Sequence, residues 1–145
     1  MKTVNIEIKS LFVPYEEALA LEELGFDEYC FVFWTNNPKY TGDNIQLCVT
    51  DCMHGYSPYS MSFKQDFLRE GEVLAPTYSQ VFKWFRDNHN LFFCVDSVGG
   101  KNGYFFAIMD ISSGNNLENY TDEYYTYEEA ELECLKKLIE IIKNR

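Results

Sequence analysis

Apolar residues recur at helical spacing in three segments of this chain and gather into strand-like runs in four others. The first helical segment runs from Pro14 or Tyr15 to Leu24, with Gly25 placed to end it. The second begins at Thr77, directly after Pro76. Thr77 and Gln80 fit a capping box, and Tyr78, Val81, Phe82 and Phe85 then share one face, with His89 on the same line. The third, residues 126–143, repeats the cap as Thr126 and Glu129, and sets Tyr127, Ala130, Cys134, Leu135, Leu138, Ile141 and Ile142 on its apolar side. Each helix opens on a tyrosine followed three places later by a small or β-branched residue: Tyr15 and Ala18, Tyr78 and Val81, Tyr127 and Ala130.

The strand-like runs are residues 29–34, 45–50, 91–98 and 104–111. A turn rich in glycine, 99–103, joins the last two into a hairpin. Residues 36–43 form a polar loop dense in turn formers, and 112–122 a second polar connection. Residues 3–13 suit a short leading strand or an extended arm. Residues 51–73 show no sustained period, and a loop of that length in a compact domain is often functional. The pattern therefore predicts one α+β domain over 1–145, with about four antiparallel strands and three helices on one side of the sheet. Its order is αββ-αββ-α, with units at 14–50 and 77–111 and a closing helix at 126–143. The repeated phrase is too short to establish a duplication.

Composition narrows the function classes. A chain of 145 residues with 46% hydrophobic and 17% aromatic content is long and apolar enough to bury a core. Apolar runs are too interrupted to span a membrane. The first ten residues carry no apolar stretch of signal-peptide length, so a cytoplasmic location is expected. The net charge of −11 disfavours direct binding to nucleic acid or to an anionic membrane. Acids cluster without any Lys or Arg in 10–38 (Glu16, Glu17, Glu22, Glu23, Asp27, Glu28) and again in 102–135, whereas 64–89 is balanced. The first and third helices thus carry negative surfaces. The five cysteines are odd in number and scattered, and Cys30, Cys48, Cys94 and Cys134 sit within apolar runs. Reduced, buried thiols fit that pattern better than a disulfide framework.

Three phrases carry a family resemblance: Ala18–Phe26 (ALALEELGF), Leu74–His89 (LAPTYSQVFKWFRDNH) and Thr126–Ile142 (TYEEAELECLKKLIEII). In that order they resemble a family of small uncharacterised proteins from gut Bacteroides-type bacteria and their phages. The resemblance implies a bacterial or mobile-element origin and an intracellular setting. It supplies no activity and no catalytic residue, and it does not reach residues 35–73 or 112–122.

Candidate chemistry is sparse. Cys48, Cys52 and His54 are the nearest approach to a metal cluster, but a structural zinc site needs a second pair of ligands, and buried or loop cysteines explain them as well. A Cys–His nucleophile would have to be assembled across the fold from His54 or His89, and His89 on an aromatic helical face reads more simply as a packing or capping residue. The adjacent acid pairs 16/17, 22/23, 122/123 and 128/129 point in different directions, and a solvated helix face accounts for them. Glu131 is odder, since it projects into the apolar arc of the third helix. Gly100 and Gly103 match a Gly-x-x-Gly clamp of an RNA-binding module, but strands rather than helices flank them. Trp84 lies off the main apolar face of the second helix. It either forms an exposed patch with Tyr56, Tyr59 and Phe63 or is buried beneath the long loop.

These readings converge on a non-enzymatic protein–protein interaction module. Acidic helices would steer a partner with a basic surface, and Trp84, Tyr56, Tyr59 and Phe63 would anchor it, or would anchor a second copy of the chain. No cofactor and no metal are expected. The alternative is a small enzyme with its site under 51–73, using His54, Cys52 or His89.

Overall fold

A computed structural model of the protein describes residues 8–36, 45–49, 65–99, 103–118 and 123–145. The fold is α+β. Among the described residues three α-helices and six strands form two antiparallel three-stranded sheets. The chain divides into two compact units, Met1–Thr77 and Tyr78–Arg145. The division falls where the second helix starts, and the closing helix belongs to the second unit.

In the first unit, a 3-10 turn at Ile8–Leu11 leads into α1, Tyr15–Glu23. Gly25, at φ +88, and Phe26 end this helix. The Gly25 N–H bonds to the Glu22 carbonyl and the Phe26 N–H to the Leu21 carbonyl, while the Phe26 and Leu21 side chains are both buried. This is a Schellman motif with its usual apolar contact. Strands β1 (Val32–Thr35), β2 (Gln46–Val49) and β3 (Glu72–Leu74) pair in the order β2-β1-β3. The Trp34 indole donates to the Val13 carbonyl at 2.8 Å, a partner a buried indole N–H requires. The amide of Gln65 both donates to the Glu72 carbonyl and accepts from the Leu74 N–H. It substitutes for a neighbouring strand along β3.

In the second unit, α2 (Tyr78–His89) buries Val81, Phe82, Trp84 and Phe85. Asn90, at φ 55, reverses the chain into β4, Leu91–Ser97. Asn tolerates that left-handed conformation better than most residues. Strands β5 (Tyr104–Asp110) and β6 (Asn116–Glu118) complete the order β4-β5-β6. Then α3, Tyr127–Lys143, starts on a full capping box: the Thr126 hydroxyl accepts from the Glu129 N–H, and the Glu129 carboxylate accepts from the Thr126 N–H. It buries Ala130, Cys134, Leu135, Leu138 and Ile139. Both helices pack on β4, and α3 on β5 as well.

The four anticipated strands are β1, β2, β4 and β5. The two additional ones, β3 and β6, are three residues long, and such stretches are too short to show a period of two. The anticipated single sheet is two.

Candidate interaction surface

Alternation along a strand sends successive side chains to opposite faces. In β4 and β5 this separates two sets. Leu91, Phe93 and Val95 lie with Ile108 and Phe106 on the face that α2 and α3 cover. There the Phe93 ring stacks on Phe82 at 3.7 Å between centroids, and Ile108 is fully buried. Phe92, Cys94 and Asp96, paired with Met109, Ala107 and Phe105, lie on the opposite face.

That opposite face is exposed in part, for Ala107 and Phe105 on it are half-buried. Phe92 is 45% exposed and Met109 38%, and Cys94 is exposed beside them. In β6 Asn116 is the partner of Met109, and Leu117, the extra residue at the register shift, is 38% exposed. Ile111, just beyond β5, is 50% exposed. Phe92 and Met109 are direct cross-strand partners, and the polar Asn116 continues their row into β6. The next row is small, Cys94 opposite Ala107. The face carries one acid, Asp96, whose carboxylate accepts from the Ser97 N–H at 2.7 Å. Within the second unit, α2 and α3 pack on the other side of the sheet, where Phe93 meets Phe82.

A second cluster joins the ends of α2, β5 and α3. The Arg145 guanidinium donates to the His89 carbonyl at 3.2 Å and to the Asp110 carboxylate at 3.0 Å. The other carboxylate oxygen of Asp110 accepts from the N–H groups of Ser112 and Ser113. The Ser113 N–H chiefly, with Ser112 and Arg145, holds the Asp110 carboxyl below its ordinary range against the opposing effect of burial. The His89 ring stands edge-on to Trp84 at 4.6 Å. Burial, and then Arg145, lowers its pKa from 6.5. Its Nε2 is buried and has no hydrogen-bond partner among the described residues. An acid–base catalyst needs that nitrogen within reach of a substrate proton, whereas here it is buried.

The remaining candidates sort plainly. Trp84 is 7% exposed and packs edge-on to Phe85, so it belongs to the core of the second unit and offers no exposed anchor. It sits off the helix's main apolar line, but the face that α2 buries is wide enough to include it. Tyr56, Tyr59, Phe63, Cys52 and His54 lie outside the described residues, and Cys48 is described only as a backbone position in β2 paired with Phe33. Cys30 is buried, its thiol pushed up to about 12 by burial and then by Glu28 and Asp27. Cys134 is buried and raised likewise, chiefly by burial. Thiols so shifted are poor nucleophiles. Cys94 corrects the expectation of burial, because its place in β4 turns it to the partly exposed face. Glu131 is half-buried in α3 and its pKa is raised, by burial first and then by Glu128, in keeping with its position in the apolar arc. Among the described residues no cluster of three His, Cys, Asp or Glu could hold a metal ion, and no helix is long and apolar enough to cross a membrane.

No family model, curated protein or solved structure matches the chain. Sequence reasoning missed Phe92, Met109 and Leu117. The runs 91–95 and 104–109 are apolar at successive positions, so their pattern does not show which side is exposed.

Proposed function

We propose that the protein is a non-enzymatic protein–protein interaction module of the bacterial or phage-infected cytoplasm. The setting rests on the family resemblance and the role on the partly exposed face of the β4-β5-β6 sheet. One observation carries the reading: Phe92 and its cross-strand partner Met109 are both exposed on a sheet whose other face is covered by two helices. Apolar anchors of that size supply affinity once water is excluded around them. Acids on α1 and in the first turn of α3 contribute selectivity through long-range repulsion and steering. On the C-terminal half of α3 that charge is partly neutralised, since Lys136 pairs with Glu133 and Lys137 with Glu118 and Glu140.

The test compares proteins retained from a bacterial lysate by the wild-type chain and by a Phe92→Ser/Met109→Ser variant of equal thermal stability. The reading expects bound proteins, or bound copies of the chain itself, that the variant loses. Identical retention by both chains would refute it.

A further inference from the structure

We infer that His89 and Arg145 form an acid-released latch: when the His89 ring takes up a proton, the Arg145 clasp that ties α2, β5 and α3 together lets go. The inference does not depend on the interaction-module reading.

The clasp is assembled from three element ends within the second unit. Asn90, in its left-handed conformation, turns α2 into β4, and its carbonyl accepts from the Ile111 N–H just beyond β5. That bond holds the end of α2 beside the end of β5. The end of α3 then lays the Arg145 guanidinium across both, on the His89 carbonyl and on the Asp110 carboxylate. Arg145 is thus attached to the backbone of the residue whose ring it lies near.

That ring has no good place for a proton. It packs edge-on to Trp84 at 4.6 Å and tilted against Phe85 at 5.8 Å. Among the described residues its Nε2 is the one buried side-chain nitrogen or oxygen without a hydrogen-bond partner. A neutral ring with its proton on Nδ1 leaves only a lone pair at Nε2, whereas the imidazolium carries an N–H on both nitrogens. Protonation therefore creates a buried donor with nothing to accept it, which is costly and more so when charged. His89 is the last residue of α2, so fraying of that end brings the ring to water and pulls its carbonyl off Arg145.

The surrounding charges set the direction. The elements that meet here carry Arg86 and Asp87 on α2, Asp110 at the end of β5, and Lys143 and Arg145 at the end of α3; β4 opens with the uncharged Leu91 and Phe92. Asp87 is paired with Lys83, and Asp110 with Arg145. After burial, Arg145 is the group that disfavours a charge on the ring. Such coupling is reciprocal: a guanidinium that repels the proton is itself repelled by it to the same degree. Asp110 does not imitate the effect, because its carboxyl is held below its ordinary range and stays ionised while the imidazole titrates. The latch is closed at neutral pH and opens as pH falls through the lowered imidazole pKa.

The experiment is an NMR titration of the isotope-labelled full chain from about pH 7.5 to about pH 4.5, a range that brackets a lowered imidazole. The His89 ring signal reads proton occupancy. Hydrogen exchange of the Arg145 guanidinium, taken relative to free arginine at the same pH, reads the clasp. The expected result is that Arg145 loses its protection several-fold with the same midpoint as the His89 ring. Arg145→Gln should move the His89 midpoint up towards 6.5, and His89→Gln should keep Arg145 protected across the whole range. Each variant tests the coupling from one side, so failure of one to fold leaves the other decisive. Arg145 protection that is unchanged through the His89 midpoint overturns the latch, as does a His89 midpoint indifferent to Arg145→Gln. Loss of protection that persists in His89→Gln also overturns it, and assigns the release to Asp110.

Discussion

Two adjacent phenylalanines in β4 meet opposite fates. Phe93 stacks on Phe82 beneath α2, and Phe92, one residue earlier and chemically identical, faces away from both helices. The same contrast recurs across the sheet between Ile108, fully buried, and Met109, more than a third exposed. One face of this sheet is a core and the other is a surface composed of core-type residues. Residue type alone therefore does not tell stability from recognition here; position parity does.

The sharpest way to break the comparison is a pair of equivalent truncations at neighbouring positions. Ile108→Ala should cost about 2–5 kcal/mol, because it deletes buried methylenes in a packed layer that relaxes only partly. Met109→Ala should stay within about 0.5 kcal/mol, as substitutions on exposed surface do. Urea unfolding of both variants checks this. Equal losses would mean that the partly exposed face is closed in solution by something within the chain itself.

A smaller effect tests what closes the covered face. Helix α3 can shield Ile108 only if it is formed from its first turn, and Thr126 and Glu129 secure that turn. Thr126→Ala should cost about 1 kcal/mol, within the range for an N-cap hydroxyl. The loss should appear in urea unfolding with the same denaturant slope as the wild-type chain. A steeper or shallower slope would show that the cap governs more than helix stability.

Much of this was legible in the sequence. The capping box at Thr126, the stop at Gly25 and the 91–111 hairpin follow from local chemistry, and local chemistry is short-ranged enough to survive in the fold. The partly exposed face was not legible. Residues 91–95 and 104–109 are apolar at odd and even positions alike, the signature of a strand covered on both sides. Only the arrangement of α2 and α3 decides which side is covered. The repeated tyrosine phrase left open whether the two units are copies of one another. Both units run helix then three strands among the described residues, but β1 is central in the first sheet whereas β4 is an edge in the second. Shared element order with different strand order favours common helix-opening needs over a copied architecture. Trp84 shows the remaining limit: a helical wheel drawn on Tyr78, Val81, Phe82 and Phe85 is narrower than the face α2 actually buries.

A weaker test concerns the rim of the covered face, where His89 packs against Trp84. Burial keeps this imidazole neutral, with its folded pKa below 6.5. Between that lowered value and 6.5 the unfolded chain binds a proton that the folded chain does not. Stability is therefore full above 6.5 and falls as pH drops through the window towards the folded pKa. Glu131 acts with the opposite sign, since its raised pKa makes stability fall as pH rises through the ordinary carboxylate range. The contribution of His89 is thus isolated by difference. His89→Gln should lose less thermal stability than the wild-type chain between about pH 7 and about pH 5. Parallel pH profiles would place the titrating group elsewhere.

The smallest expected change in stability belongs to the partly exposed face, and there it is the most informative. Phe92→Ser should leave the unfolding midpoint almost where it was, since the ring is nearly half exposed and its removal opens no cavity. Phe93→Ser, one position on, should be strongly destabilising, because it strands a hydroxyl beneath α2 and removes the stacking partner of Phe82. The informative variable is protein concentration. If Phe92 serves a contact between molecules, the wild-type midpoint should rise with concentration by mass action, while that of Phe92→Ser stays flat. Thermal melts of the two chains across the same dilution series read this directly. A wild-type midpoint independent of concentration would make Phe92 a solvated ring and reduce the contrast between the two faces to packing alone.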